Sequence, residues 1–217
     1  MDSNTMIKAI VDKHEAVYRG DRLYNNAVTS MATIDFSNIT EADVGDVIER
    51  FLYDWGKMGR VLGQEQFLGW QEKVAETIQS NSEILRQFQT RNIENENLNN
   101  RKDSIVVLYE SFKAITGQIA SAKILNLICP DFFPLWDNAI ANAIRVELAN
   151  LQGYGFDKSI EVFSGEDYFR FMEGIKLFIS RHSDIISILS TQYQQRKLRI
   201  IDECFWWTVR RPFFLIF

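Results

Sequence analysis

Asp137 and Lys123 are the residues whose types and settings best suit covalent or electrostatic chemistry. Both lie within residues 117–144, GQIASAKILNLICPDFFPLWDNAIANAI. Asp137 closes an apolar stretch, Phe133-Pro134-Leu135-Trp136, and opens a helical run. A carboxylate at a helix start faces free backbone amides and the positive end of the helix dipole, so it stays ionised and does not serve as an acid. The purely structural reading is an ordinary N-cap, because Asp is among the best caps. Lys123 is the only lysine of the segment and is flanked by Ala120, Ala122, Ile124 and Leu125. Buried there, its amine would lose its proton more easily and become nucleophilic; on a surface it would be a snorkelling side chain. Trp136 reads either as core filling or as a wedge that stacks on an unpaired base. Trp206 and Trp207, followed by Arg210 and Arg211, offer a second pairing of ring and cation. Adjacent side chains on a helix point about 100° apart, so at most one of the two indoles meets a ligand. Trp207 and Arg211 share a face by i, i+4 spacing and form a stacking and phosphate-contact pair.

The order of these features resembles the core of the helix-hairpin-helix DNA glycosylase superfamily. There a helix runs into a short loop, and a "val-pro-val-Asp" approach sets a catalytic aspartate at the head of the next helix. Phe133-Pro134-Leu135-Trp136-Asp137 occupies the corresponding place. The resemblance implies an all-α, orthogonal, glycosylase-like bundle acting on or recognising a modified base in DNA. It implies that Asp137 stabilises positive charge on the sugar or activates water. It also implies that Lys123 forms a Schiff base, as in the lyase-type members, and that Trp136 lines the base pocket. At the hairpin, Ile115-Thr116-Gly117-Gln118-Ile119 keeps one glycine where the family has Leu-Pro-Gly-Val-Gly. Gly117 and Gln118 are therefore the expected backbone contacts to phosphate. The Lys123-to-Asp137 interval is several residues shorter than in the family, and the cysteines of its iron–sulfur subgroup are missing. The alternative is a non-catalytic helical module that binds protein or nucleic acid, in which Asp137 is only a cap.

The elements that must position these residues read as roughly nine or ten helices. Residues 5–19 form the first, with Ile7, Ile10, Val11 and Val17 inward and Gly20 at its stop. The stretch 21–39 reads as irregular. Thr40 with Asp43 signals a capping-box start for a helix bearing Val44, Val47, Ile48, Phe51 and Trp55. Glycines 56, 59 and 63 mark a helix–helix joint without phosphate-loop spacing. Residues 64–91 read as one or two helices, with Phe67, Trp70, Val74 and Ile78 on one side. Residues 92–103, NIENENLNNRKD, carry five asparagines and no periodicity. They read as an exposed loop; if the single compact unit 1–217 has two lobes, they join 1–91 to 104–217. Ser104 then caps a helix bearing Ile105, Leu108, Tyr109 and Phe112. Gly117 interrupts it, 118–129 ends at Pro130, and Asp137 opens a helix with Ile140, Ile144, Leu148 and Leu151 inward. Ser164 with Asp167 starts another, bearing Phe171, Met172, Ile175 and Phe178, and two more follow near 184–194 and 197–210. No internal repeat and no alternating strand pattern is present.

Composition narrows the classes. At 46% hydrophobic and 13% aromatic residues, the chain can bury a substantial core, and 24% charged residues is not a disordered composition. Only 3 prolines and 11 glycines interrupt it, which favours long helices. The net charge of −5 argues against broad, unspecific nucleic-acid binding. Arg196, Lys197, Arg199, Arg210 and Arg211 nevertheless crowd the end against Asp202 and Glu203, as a local basic face or a solvated helix surface. Cys129 and Cys204 sit among apolar neighbours as buried thiols of a reducing, cytoplasmic setting. MDSNTMIKAI lacks the pattern of a secretory signal, and no apolar run reaches the roughly 18–20 residues of a membrane span. The tail Pro212–Phe217, PFFLIF, reads as an arm docked on the core or on a partner. Two histidines without ligand-spaced cysteines leave no expected metal or other cofactor. His14, in a charged helix, is expected to be exposed, and His182 to favour a helix C-terminus. No nucleophile elbow or triad pattern supports a small-molecule hydrolase.

Overall fold

A computed structural model describes residues 3–17, 21–142 and 162–210, without the side chains at 21, 139, 142 and 207–210. The architecture is all-α, a multi-helix bundle with no strand among the described residues. The chain runs through α1 (Ser3–Val17), α2 (Asp21–Ala32) and α3 (Glu41–Asp43), which continues as π-helical segments Val44–Glu49 and Phe51–Trp55. Next come α4 (Gly59–Leu62), α5 (Trp70–Ser80), α6 (Ser82–Gln89), α7 (Lys102–Thr116), α8 (Gln118–Ile128) and α9 (Asn138–Asn142). The last three are α10 (Gly165–Arg181), α11 (Ser183–Tyr193) and α12 (Lys197–Arg210). No helix among the described residues is long and apolar enough to cross a membrane.

Two helices form the interior. On α8 every residue from Ala120 to Ile128 is buried, and on α12 every residue from Leu198 to Phe205. A helix buried all round shows no amphipathic stripe, because each of its faces meets another element. Helix α12 packs against α1, α9 and α11, while α8 packs against α2, α7 and the second π-helical segment. The N-terminal and C-terminal thirds of the chain therefore meet directly through α1 and α12.

Both expected capping boxes are present. The Asp43 amide donates to Thr40 Oγ1 at 3.2 Å and the Thr40 amide to Asp43 Oδ2 at 2.8 Å. The Ser164–Asp167 pair repeats this, at 3.2 and 3.0 Å. Each box pairs backbone donors that helix geometry leaves without an intrahelical partner. Helix α10 then comes very close to α7. A Cβ added at Gly165 would stand 2.8 Å from the Val106 carbonyl oxygen and 2.9 Å from its Cγ1. Gly165→Ala should therefore lower stability by about 1–3 kcal/mol, the usual cost of overpacking. Urea denaturation checks this, and an unchanged midpoint would show that the contact relaxes freely.

Four local expectations are corrected. Residues 21–32 are helical, with Tyr24, Val28 and Met31 buried at i, i+4, i+7; Asn25, Asn26, Thr29 and Ser30, weak helix formers, dilute that pattern. The helix expected at Ser104 begins at Lys102, because a 3-10 turn, Leu98–Arg101, feeds straight into it. His14 is not exposed but 2% accessible, since its face of α1 meets α12 and not solvent. The polar segment 92–103, expected as an exposed loop, is anchored, and from Leu98 onward it is already helical. Ile93 and Leu98 are buried, the Ile93 amide donates to the Asp131 carbonyl at 3.1 Å, and Glu94 pairs with Lys197 at 2.9 Å. His182, the C-cap of α10, is buried, with Nδ1 2.7 Å from Asn4 Oδ1. The helix continuation at 144–151, Trp207, Arg210, Arg211 and the tail lie, wholly or by their side chains, outside the described residues.

Candidate functional site

The connection from α8 to α9 is held by polar groups buried for that purpose. Asn126 receives the Tyr24 hydroxyl at 2.9 Å and donates its amide to the Phe133 carbonyl at 2.7 Å. The Tyr168 hydroxyl donates to the next carbonyl, Pro134, at 2.7 Å. Phe132 and Phe133 pack on Phe88, with centroids 4.4 and 5.2 Å apart, and Trp136 meets Phe171 edge to face at 4.7 Å. With backbone and rings both clamped, Asp137 arrives at the start of α9 in a fixed position. Its Oδ1 accepts the Ile140 amide at 2.9 Å, so it caps the helix, as one reading of the sequence expects.

A cavity of about 340 Å³ opens beside it. Asp137, Trp136 and Leu135 form one wall, and Lys123 reaches it from α8. Trp55, Gly56 and Lys57, where the second π-helical segment ends, form another. His14 of α1 and Arg199, Asp202 and Trp206 of α12 complete it. The structure thus brings together three of the expected residues: Lys123, Asp137 and Trp136. It does not bring Gly117 or Gln118 to this cavity. Gly117 is the left-handed joint between α7 and α8 (φ +79°), and the Gln118 carbonyl accepts the Tyr109 hydroxyl at 3.1 Å. Trp206 lines the cavity, whereas Trp207 and Arg211 fall outside the described side chains.

Lys123 is 8% accessible, which sets aside the surface reading. Its Nζ donates to the Gly56 carbonyl at 3.0 Å and lies 5.6 Å from the Trp55 ring centroid. Burial pulls its pKa below the ordinary lysine value, against the opposing attraction of Asp137 and Asp202. The neutral, nucleophilic amine is thereby made more accessible. Asp202 shows the mirror effect. Burial raises its pKa, Asp137 adds to the rise, and Arg199 opposes it.

Arg199, 3% accessible, is the hub of the charged wall. It is ion-paired with Asp202, and its Nε lies 3.3 Å from Glu203 Oε1. Its guanidinium carbon sits 5.5 and 5.3 Å from the centroids of Tyr24 and Trp55. Burying so many ionisable groups around one opening is costly for a fold and is a recognised signature of functional sites. The sequence reading missed His14, Trp55, Arg199 and Asp202. One signal was available on α12: Arg199, Asp202, Glu203 and Trp206 follow i, i+3, i+4, i+7, the spacing of an inward stripe. Of the two readings of the cations near the C-terminal end, a local basic face or a solvated helix surface, the basic face is not seen at the described positions, since Arg196 pairs with Asp131, Lys197 with Glu94, and Arg199 with buried acids.

Compared with known proteins, the chain gives no match to a family model and no significant match to a curated protein or a solved structure.

Proposed function

We propose that this cavity takes up an extruded nucleobase with its sugar and cleaves the bond between them, as a DNA N-glycosylase with lyase-type chemistry. The observation that carries the reading is the meeting of Lys123 and Asp137 in one cavity, although they belong to different elements and lie 14 positions apart. In such a reaction the unprotonated Lys123 amine attacks the sugar carbon C1′. The C1′–base bond breaks, the base leaves with the bonding electron pair and takes up a proton, and the lysine nitrogen loses one. Ring opening then leaves an iminium that borohydride reduces to a stable adduct. Asp137 supplies negative charge beside the cationic sugar, where a fixed carboxylate is most effective in a water-poor site. Trp136, Trp55 and Trp206 offer aromatic surface to a flat base.

The experiment is borohydride trapping on oligonucleotides that carry an abasic site or an oxidised base, with base release followed in parallel. A covalent protein–DNA species supports the reading. Folded protein that gives neither adduct nor released base across the panel overturns it.

A second reading has its own support. Asp137 already caps α9, and Lys123 already holds the Gly56 carbonyl, so both have structural employment. On this reading the chain binds its ligand in the cavity without cleaving it. Saturable oligonucleotide binding without product, weakened by a Trp136 substitution, would favour it.

A further inference from the structure

We propose that His14, Glu15 and Glu203 form a binding site for a divalent transition-metal ion, set where α1 crosses α12 behind the wall of the cavity. One ligand atom from each of the three lies within 4.8 Å of the other two. His14 and Glu203 are buried, at 2% and 0% accessibility, and Glu15 is half-buried. His14 Nδ1 stands 3.5 Å from Glu203 Oε2. That is longer than an ordinary N–H···O hydrogen bond of about 2.7–3.2 Å. It is close to the roughly 3.0–3.4 Å between neighbouring ligands on one ion when metal–ligand bonds are about 2.0–2.2 Å. Glu15, half-buried where the other two are buried, has the side chain freest to adjust around an ion.

The surroundings suit a ligand set. Arg199 Nε, 3.3 Å from Glu203 Oε1, orients that carboxylate from outside, as second-shell donors do at metal centres. Trp206 meets the imidazole edge-on, with centroids 5.8 Å apart, and limits its rotation. One imidazole nitrogen with two carboxylates selects Mn²⁺, Fe²⁺ or Zn²⁺ over Mg²⁺, which prefers an all-oxygen shell and keeps its waters. Three protein ligands leave positions for water, as in sites that do chemistry. His14 also lines the cavity, so the ion would lie just behind the wall that Arg199 and Asp202 share. The inference is independent of the reaction proposed above.

The test uses full-length protein stripped with EDTA and titrated calorimetrically with MnCl₂, ZnCl₂ and MgCl₂. One equivalent of Mn²⁺ or Zn²⁺ is expected, bound at least tenfold more tightly than Mg²⁺. Glu203→Gln and His14→Gln should weaken binding by more than about 100-fold, beyond the roughly 10–100-fold cost of losing a second-shell partner. Asp35→Asn, at an exposed acid paired with Arg86 and not with the three ligands, should leave it unchanged. Should either buried variant fail to fold, the visible spectrum of Co²⁺-loaded wild type decides, with bands of mixed nitrogen–oxygen ligation that Zn²⁺ displaces. Folded protein that binds no ion, binds only as diffusely as Mg²⁺, or gives a Co²⁺ spectrum of the hydrated ion alone overturns the proposal.

Discussion

Lys123→Met should abolish borohydride trapping while leaving the protein no less stable than the wild type at neutral pH. The two outcomes have different causes. Methionine has no amine to form the iminium, so the adduct disappears whatever the shape of the pocket. For stability, two effects compete. The Gly56 carbonyl loses its 3.0 Å donor, and an unsatisfied buried acceptor costs about 1–3 kcal/mol. Against this, a buried ammonium is removed, and burying one charge costs several kcal/mol unless its partners offset it. The lowered pKa of Lys123 says that its partners, Asp137 and Asp202, do not fully offset burial.

The sign of the pH dependence follows from the same shift. With the folded pKa below the ordinary 10.5, the unfolded chain binds the Lys123 proton more tightly. Wild-type stability therefore gains from this group as pH climbs through the interval between the lowered value and 10.5. Below that interval the penalty is present in full. Subtracting the Lys123→Met stability from the wild-type stability at each pH isolates the contribution, because the other groups largely cancel. The difference should rise in favour of the wild type with increasing pH. A flat difference, or a methionine variant that unfolds outright at neutral pH, would mean that the ammonium is held by its neighbours and is not poised as a nucleophile.

How far the site could be read in advance depends on which helices are interior. Where one face meets solvent, as on α5 with Trp70, Val74 and Ile78, the apolar spacing alone located the helix and its inward side. The turn 130–137 was also readable, because Pro130, Pro134 and a capping Asp137 punctuate it strongly. On α8 and α12 that guide fails, since all faces are buried and apolar spacing carries no direction. The apolar neighbours of Lys123 single it out but leave a snorkelling surface position open, and it is the packing around α8 that buries it. The five charges at Arg196, Lys197, Arg199, Asp202 and Glu203, at the start of α12 and just before it, show in the sequence by their number and not by their pairing. Arg199 finds Asp202 and Glu203 one turn ahead on its own helix, so a cation counted toward a basic face or a solvated surface is paired inside the protein. His14 was misread for a related reason. Its sequence neighbours Lys13 and Glu15 are charged, but what surrounds it in space is α12, 189 positions away at Glu203. Long-range pairings of this kind leave no local trace.

Arg199→Met should cost about 3–5 kcal/mol, the usual penalty for breaking a buried ion pair from one side. Methionine fills similar length and keeps apolar contact with Tyr24 and Trp55, so the loss is mainly electrostatic. Asp202 and Glu203 would lose the cation that faces both, and burial already pushes the Asp202 carboxyl upward with Arg199 opposing it. Without the guanidinium that rise grows. A carboxylate whose folded pKa exceeds its unfolded value contributes stability that is present at low pH and lost as pH rises through the folded value. The deficit of Arg199→Met relative to wild type should therefore be smaller near pH 4 than at pH 7, when both are compared by urea denaturation. Arg199→Lys should fall between the two, because a single ammonium cannot face both carboxylates with the geometry of a guanidinium. A loss below about 1 kcal/mol, or one that does not change with pH, would show that Arg199 is not the hub of this wall. In that case the charged groups around the cavity are arranged for ligand and not for one another, and the cavity would have to be rebuilt around Lys123 and Asp137 alone.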